Sequence, residues 1–554
     1  MPSPSGSRPS MVLAVACLAA FAINLDTTIV NVALPSIGRE LNATTRDLQW
    51  IVDGYNLAFA ALVLVAGSLG DRFGRRPALL LGLAGFGATS AVAATVSSPE
   101  ALIAVRFAMG ACAAVIFPTT LSVITNAYPV RRERARAIGL WGAVTGLGVA
   151  VGPLCGGLLL SHFGWVSVFL ALVPVSALAL AAAWRWVPES RSPEQARLDP
   201  PGLLASSTAV GLLVYTLIEA PARGWSAPAT AAGFAGAVAL AVVFVLIERR
   251  RARPMIDLSL FRTPAFSAAS GSVTIAFFAL FGFIFLVTQY FQFVRGYSTL
   301  STGTRILPVA ACIAVGSVAG VALATRVGTR SVVVAGLVLL GCAFGWIAAS
   351  ATFVAYPQVV GQMVLIGLGL GLTTAPATES ILSVLPPAKA GLGSAVNDAT
   401  RETGGTLGVA VLGSIFTSLY AGHLGATSFA DLPPARLAEA RGSVAAALGT
   451  ARAGGRGDLL AAVQDSFMHG FHVACLVAAA ICLAGALPAL ALPGRLAMAT
   501  ATAPPVTAAR PDPATPAERA PHASSASRSD LSDRSDHSHR SAAQGLPAAG
   551  RTDA

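Results

Sequence analysis

Lysine is all but missing from this sequence. Lys389 is the only one in 554 residues, and charged residues of every kind make up 11% of the chain. A soluble domain carries about 25% charged residues. A chain that is 55% hydrophobic cannot hide its apolar side chains behind so little polar surface, so most of it must face lipid. The lone lysine stands in PPAKAG, no G-x-x-x-x-G-K-[ST] exists, and an ATP-hydrolysing P-loop is excluded. Neither H-E-x-x-H nor a C-x-x-C pair occurs. The seven cysteines all fall inside apolar stretches and read as small packing residues, not disulfides or metal ligands. No motif calls for a cofactor, and nothing marks the chain as an enzyme. Basic helices with interleaved aromatics are absent too. The net charge of +11 therefore does not speak for nucleic acid, because the arginines sit in short loops between apolar runs. Those runs are long and continuous, without the alternation that barrel strands need.

What is present is a series of runs long enough to span a bilayer, each near the roughly 20 residues required. Fourteen are expected: 11–33, 48–69, 77–97, 100–122, 138–160, 164–184, 202–219, 229–247, 266–291, 304–324, 331–350, 356–379, 395–420 and 470–492. The fold class is thus an all-α polytopic membrane protein. The first run is too long for a cleaved signal peptide, and it carries Asn24, Asp26 and Asn31. Loops on the side of the N-terminus hold 19 Lys and Arg residues and short loops opposite hold five, which predicts cytoplasmic termini. The chain divides into a short N-terminus (1–10), six spans (11–186), a linker with two spans (187–264), six more spans (265–492, with an extracellular loop at 421–469), and a polar tail (493–554) that reads as disordered. The two six-span parts echo each other. GSLGDRFGRR at 67–76 aligns with VALATRVGTR at 321–330, and LGVAV at 147–151 recurs at 407–411. Duplicated halves with a site at their interface are a common transporter plan.

Several residues carry candidate chemistry. Asp26 lies mid-span in LDTTIVNVALP, where a carboxylate costs about 2.5–3.5 kcal/mol on insertion scales and is a functional candidate by default. The structural alternative is a helix–helix hydrogen bond. Asp53, in WIVDGYNLAFA, either attracts cations and protons or stands as a solvated helix-start residue. Arg106 sits inside the fourth span and needs a partner there. Asp398, Arg401 and Glu402 cluster at the start of the thirteenth span, where Asp398 and Glu402 share a helix face. By itself that cluster reads as a cytoplasmic helix-start charge group. The segment with Gly67, Asp71, Arg72, Gly74, Arg75 and Arg76 makes a short charged turn. In WGAVTGLGVAVGPLCGG, Gly142, Gly146 and Gly148 let a neighbouring helix approach closely, and Pro153 bends the span; Gly152, Gly156 and Gly157 complete the pattern.

The turn G-x-x-x-D-R-x-G-R-R resembles the signature loop of the major facilitator superfamily. The span G-x(3)-G-x(5)-G-P-x-x-G-G is similar to the antiporter motif of its drug/proton exporters, and LDTTIVNVALP and RETGGTLG resemble its fourteen-span branch. The resemblance covers about 11–492. It implies two six-helix bundles plus two inserted helices in a bacterial plasma membrane, working as a monomer by alternating access. It implies export of small lipophilic or cationic molecules in exchange for protons. Asp26, Arg106, Asp53 and Glu402 would couple to protons, with Asp53 near the outer mouth because WIVDGYNLAFA resembles the branch's second span; RETGGTLG would help shape the inner gate, the charged turn would gate the conformational change, and the glycine-rich span would favour export over import. Where the branch carries Gln after the arginine, Met109 stands here. An exporter of one endogenous metabolite or self-made antibiotic, or a sensor that no longer transports, are the alternatives.

Overall fold

The structure, a computed structural model, describes residues 9–191, 200–251, 258–384, 390–427, 429 and 432–494. The expected tail from 495 onward, and Lys389, lie outside the described residues. All regular elements among the described residues are helices: α1 (Pro9–Glu40), α2 (Thr45–Phe73), α3 (Arg75–Ala93), α4 (Pro99–Ala127), α5 (Arg131–Phe163), α6 (Val166–Leu170), α7 (Leu172–Trp186), α8 (Pro200–Arg223), α9 (Pro228–Arg250), α10 (Pro264–Gln289), α11 (Thr299–Val327), α12 (Thr329–Ala348), α13 (Tyr356–Ser383), α14 (Ala390–Leu424), α15 (Pro434–Gly442), α16 (Val444–Ala453) and α17 (Gly457–Ala489). A π-helical turn, Tyr290–Val294, prolongs α10.

Local chemistry sets the helix ends. Thr44 and Asp47 form a reciprocal capping box at the start of α2. Ser98 and Ser298 cap α4 and α11 through their hydroxyls. Among the described residues, thirteen helices are long and apolar enough to cross a membrane, counting α6 and α7 as one broken span. With the 29-residue α2 the tally reaches the expected fourteen. The sixth span breaks at Ala171, and the last begins at Gly457, ahead of the apolar run at 470–492. Asp458, Gln464, Asp465 and His469 keep its first turns polar, which hid them from a hydropathy reading. The expected loop at 421–469 accordingly holds the end of α14, the short helices α15 and α16, and the start of α17.

The echo between halves is structural. α1 packs on α5, α2 on α4, and α3 on α4 and α7; in the same order α10 packs on α14, α11 on α13, and α12 on α13 and α17. The repeated LGVAV accounts for one of these matches. A Cβ at Gly148 would meet the backbone of α1 at Phe21, and one at Gly408 the backbone of α10 at Phe278, so both helices approach closely through glycine. Gly74 and Gly328 end α2 and α11 with φ of +118° and +91°, a region that favours glycine. Each turn also receives the chain that leaves the last span of its own half: Arg75 N donates to Ser190 O (3.0 Å) and Arg330 N to Pro493 O (3.2 Å).

The halves meet along two seams, α5 against α11 and α2 against α14. Hydrogen bonds gather at the end where α1 gives way to α2. Gln292 Nε2 donates to Val32 O (2.9 Å), Thr299 Oγ1 to Gly157 O (3.4 Å), and Ser443 Oγ at the start of α16 to Ala43 O (3.4 Å). α8 straddles the α2–α14 seam, taking a bond from Ser414 Oγ to Leu217 O (2.7 Å) and giving one from Ser207 Oγ to Ala61 O (3.3 Å). α9 leans on α8 and turns most of its surface outward.

Candidate functional site

The polar residues of α1 do not all look outward from their helix. Asn24 Nδ2 bonds back to Ala20 O (2.9 Å), Thr28 Oγ1 to Asn24 O (3.2 Å) and Asn31 Nδ2 to Thr27 O (2.9 Å). These i, i−4 bonds satisfy donors inside one helix, as an apolar environment requires. Asp26 is different. Its Oδ2 accepts from Arg106 Nη1 of α4 at 2.7 Å, with both side chains at most 1% exposed. The other carboxylate oxygen, Oδ1, is buried and has no hydrogen-bond partner. Two of the predicted coupling residues are therefore one closed ion pair.

Arg106 has two further anchors, both on α2. Its Nε donates to Ile51 O (2.9 Å), and its guanidinium lies 4.3 Å from the centre of the Tyr55 ring. Met109, in place of the branch's glutamine, sets its sulfur 3.9 Å from Nη1. Nothing in the residue pattern singles out Tyr55. Its position, one turn beyond Ile51 on the face opposite Arg106, emerges only once α2 and α4 are packed. That packing is tight because Gly110 of α4 lies against the Tyr55 backbone.

Asp53 is not a solvated helix-start residue. It is fully buried, two turns inside α2, and neither of its carboxylate oxygens has a hydrogen-bond partner. The capping role falls to Asp47 instead. One turn before it, the buried Gln49 donates across the seam to Val409 O (3.3 Å), Ala410 O (3.4 Å) and Ser414 Oγ (3.4 Å). Gly413 leaves the room for that amide. Sequence reasoning missed Gln49, since a lone glutamine in an apolar run carries no motif.

In α14, Glu402 is half-buried. Arg401 lies 3.8 Å from Asp398 and 4.5 Å from the centre of the Phe277 ring. The charged turn is held by its backbone and by Arg76, whose Nη2 donates to Trp184 O (2.5 Å); Arg72 lies over the Phe73 ring. Gly67 and Asp71 belong to α2, and their surroundings lie outside the described structure.

The glycine-rich motif of α5 has two faces. Gly148, Gly152 and Gly156 lie against α1, with Gly152 directly over Thr28 and Gly156 over Ile29. Pro153 and Gly157 lie against α11, at Gly303 and at Thr299–Leu300. Gly142 and Gly146, expected to admit a neighbouring helix, meet nothing within 4 Å in this conformation, because α11 contacts that face further along, at Pro153 and Gly157.

Residues 16–409 match the family model described as Major Facilitator Superfamily. The chain is 35% identical over 487 residues to the multidrug efflux pump LfrA of Mycolicibacterium smegmatis, covering 87% of this chain and 95% of that pump. It is 33% identical to the tetracenomycin C resistance and export protein of Streptomyces glaucescens (87% and 91% covered) and 33% identical to a methylenomycin A resistance protein of Streptomyces coelicolor (75% and 88%). Among solved structures, a bacterial homologue of the human lysosomal transporter Spinster superposes with a TM-score of 0.64 at 18% identity, covering 89% of this chain and 98% of that one.

Proposed function

The chain belongs to the major facilitator superfamily, and from that premise we propose that it is a proton-driven antiporter exporting small lipophilic or cationic molecules across a bacterial plasma membrane. The observation that carries the proposal is the Asp26–Arg106 pair, closed at 2.7 Å inside the N-terminal half. Charged groups at that depth are retained where they relay ions or protons. A proton arriving on Asp26 removes the counter-charge of Arg106. The guanidinium then keeps only Ile51 O and the Tyr55 ring, both on α2. α2 also carries Gln49 into the seam with α14. Protonation thus changes the load on the helix that joins the two halves.

With the termini cytoplasmic, the hydrogen-bonded end is the outer one and the Gly142–Gly146 end opens inward. Substrate then enters from the cytoplasm or inner leaflet, and one chain is the working unit. The energy suffices: one proton crossing ~120 mV releases about 2.8 kcal/mol, enough for roughly a hundredfold concentration ratio. A dedicated exporter of a single self-made antibiotic is the second reading, favoured by the similarity to tetracenomycin and methylenomycin resistance proteins.

The test is transport by purified protein in liposomes. Dye accumulation should follow an imposed pH gradient and stop when an uncoupler collapses it. Transport to the same extent without any gradient would overturn the proton reading. Binding without accumulation would mark a sensor instead.

A further inference from the structure

Arg106 and Arg401 both lie within membrane-spanning helices, and they are held very differently. Arg106 has a carboxylate at 2.7 Å, a backbone carbonyl at 2.9 Å and an aromatic ring. Arg401, 23% exposed, makes one long ion pair to Asp398 at 3.8 Å, and its Nε is buried without a partner. What holds it otherwise is the face of Phe277, with ring centre and guanidinium carbon 4.5 Å apart. The Phe281 ring continues this surface 6.2 Å from Phe277 and rests on Gly405.

The chemistry of this corner is that of a cation receptor: an aromatic face beside a carboxylate. A cation over a ring in a desolvated place is stabilised well beyond its surface value. Asp398 and Arg401 balance one another here, so a substrate cation that takes the place of the guanidinium on the ring keeps the corner neutral. A loosely bound guanidinium on the ring is the occupant most easily exchanged. We propose that Phe277 and Asp398 form a subsite for flat monovalent organic cations, and that Arg401 fills it as a built-in competitor until substrate turns it aside. This deepens the efflux reading and rests on it for the role of the central space. Arg401 is then a specificity residue, setting how strongly a cation must bind to enter.

Binding to the purified full-length chain, measured without any ion gradient, tests this. The probes are ethidium, a flat monocation, and a neutral phenanthridine of similar shape. Arg401→Gln should tighten ethidium binding about fivefold and leave the neutral probe unchanged. Phe277→Leu should weaken ethidium binding and erase the gain from Arg401→Gln in the double variant, whereas Phe277→Trp should keep it. An unchanged or weaker ethidium affinity in Arg401→Gln would overturn the proposal. So would a parallel change for the neutral probe, a gain that survives Phe277→Leu, or no saturable ethidium binding at all. Gradient-driven export with flat binding responses would sink this subsite alone. The expected binding shifts without gradient-driven export would sink only the proton reading.

Discussion

A carboxylate and a guanidinium that close on each other inside a bilayer depend on one another for their presence there. Removing one partner of such a pair costs roughly 3–5 kcal/mol, because the survivor is left as an uncompensated buried charge. Replacing both by neutral groups relieves most of that cost. Asp26→Asn and Arg106→Gln should each lower the temperature at which the purified protein aggregates, while the double variant recovers most of the loss. Gradient-driven export should be absent from all three. Equal thermal stability of the single and double variants, read by size-exclusion after heating, would show that the 2.7 Å contact contributes nothing. Recovered transport in the double variant would remove Asp26 from the coupling. Asp26 and Arg106 were legible as residues because ionisable groups are rare in these spans. Their pairing was not, because eighty positions of chain separate them. Tyr55 and Gln49 stayed hidden for a related reason: an aromatic or amide in an apolar run gains meaning only from the helix opposite.

At the scale of elements, the glycines of α5 do unlike work. A side chain at Gly152 would collide with Thr28, in the helix that carries Asp26, whereas one at Gly142 would meet nothing within 4 Å. Gly152→Leu should therefore force α5 off α1 and abolish export together with the yield of folded protein. Gly142→Ala should fold and express as the parent does, and fluorescence-detected size-exclusion of the two variants separates the cases. Loss of folded protein in Gly142→Ala would contradict the open face of α5. The helices themselves were readable from apolar run length, and the repeated LGVAV foretold that α5 and α14 are counterparts. α15 and α16 were not readable. Each is ten residues or fewer, and α15 carries Arg436, Glu439 and Arg441, so neither leaves an apolar signal.

For the whole molecule, alternation requires the hydrogen-bonded end to part. Ser443 at the start of α16 and Ala43 in the turn after α1 stand on opposite halves, joined by a 3.4 Å hydrogen bond. In a chain whose exposed Cys342 is replaced by serine, cysteines at positions 43 and 443 should cross-link on oxidation. Export should then stop, and a reductant should restore it. Unimpaired export by fully cross-linked protein would mean that this end does not open during the cycle.

In both halves the chain leaving the last span returns to its own glycine turn, through Arg75 N to Ser190 O and Arg330 N to Pro493 O. Each glycine turn is thereby fastened by the chain that follows the last span of its own half, so a cut after α9 leaves both fastenings intact. Two separately translated pieces, divided after α9, should find each other in the membrane and reconstitute a working exporter, as two subunits would. On that view the present chain is an obligate heterodimer written as one gene.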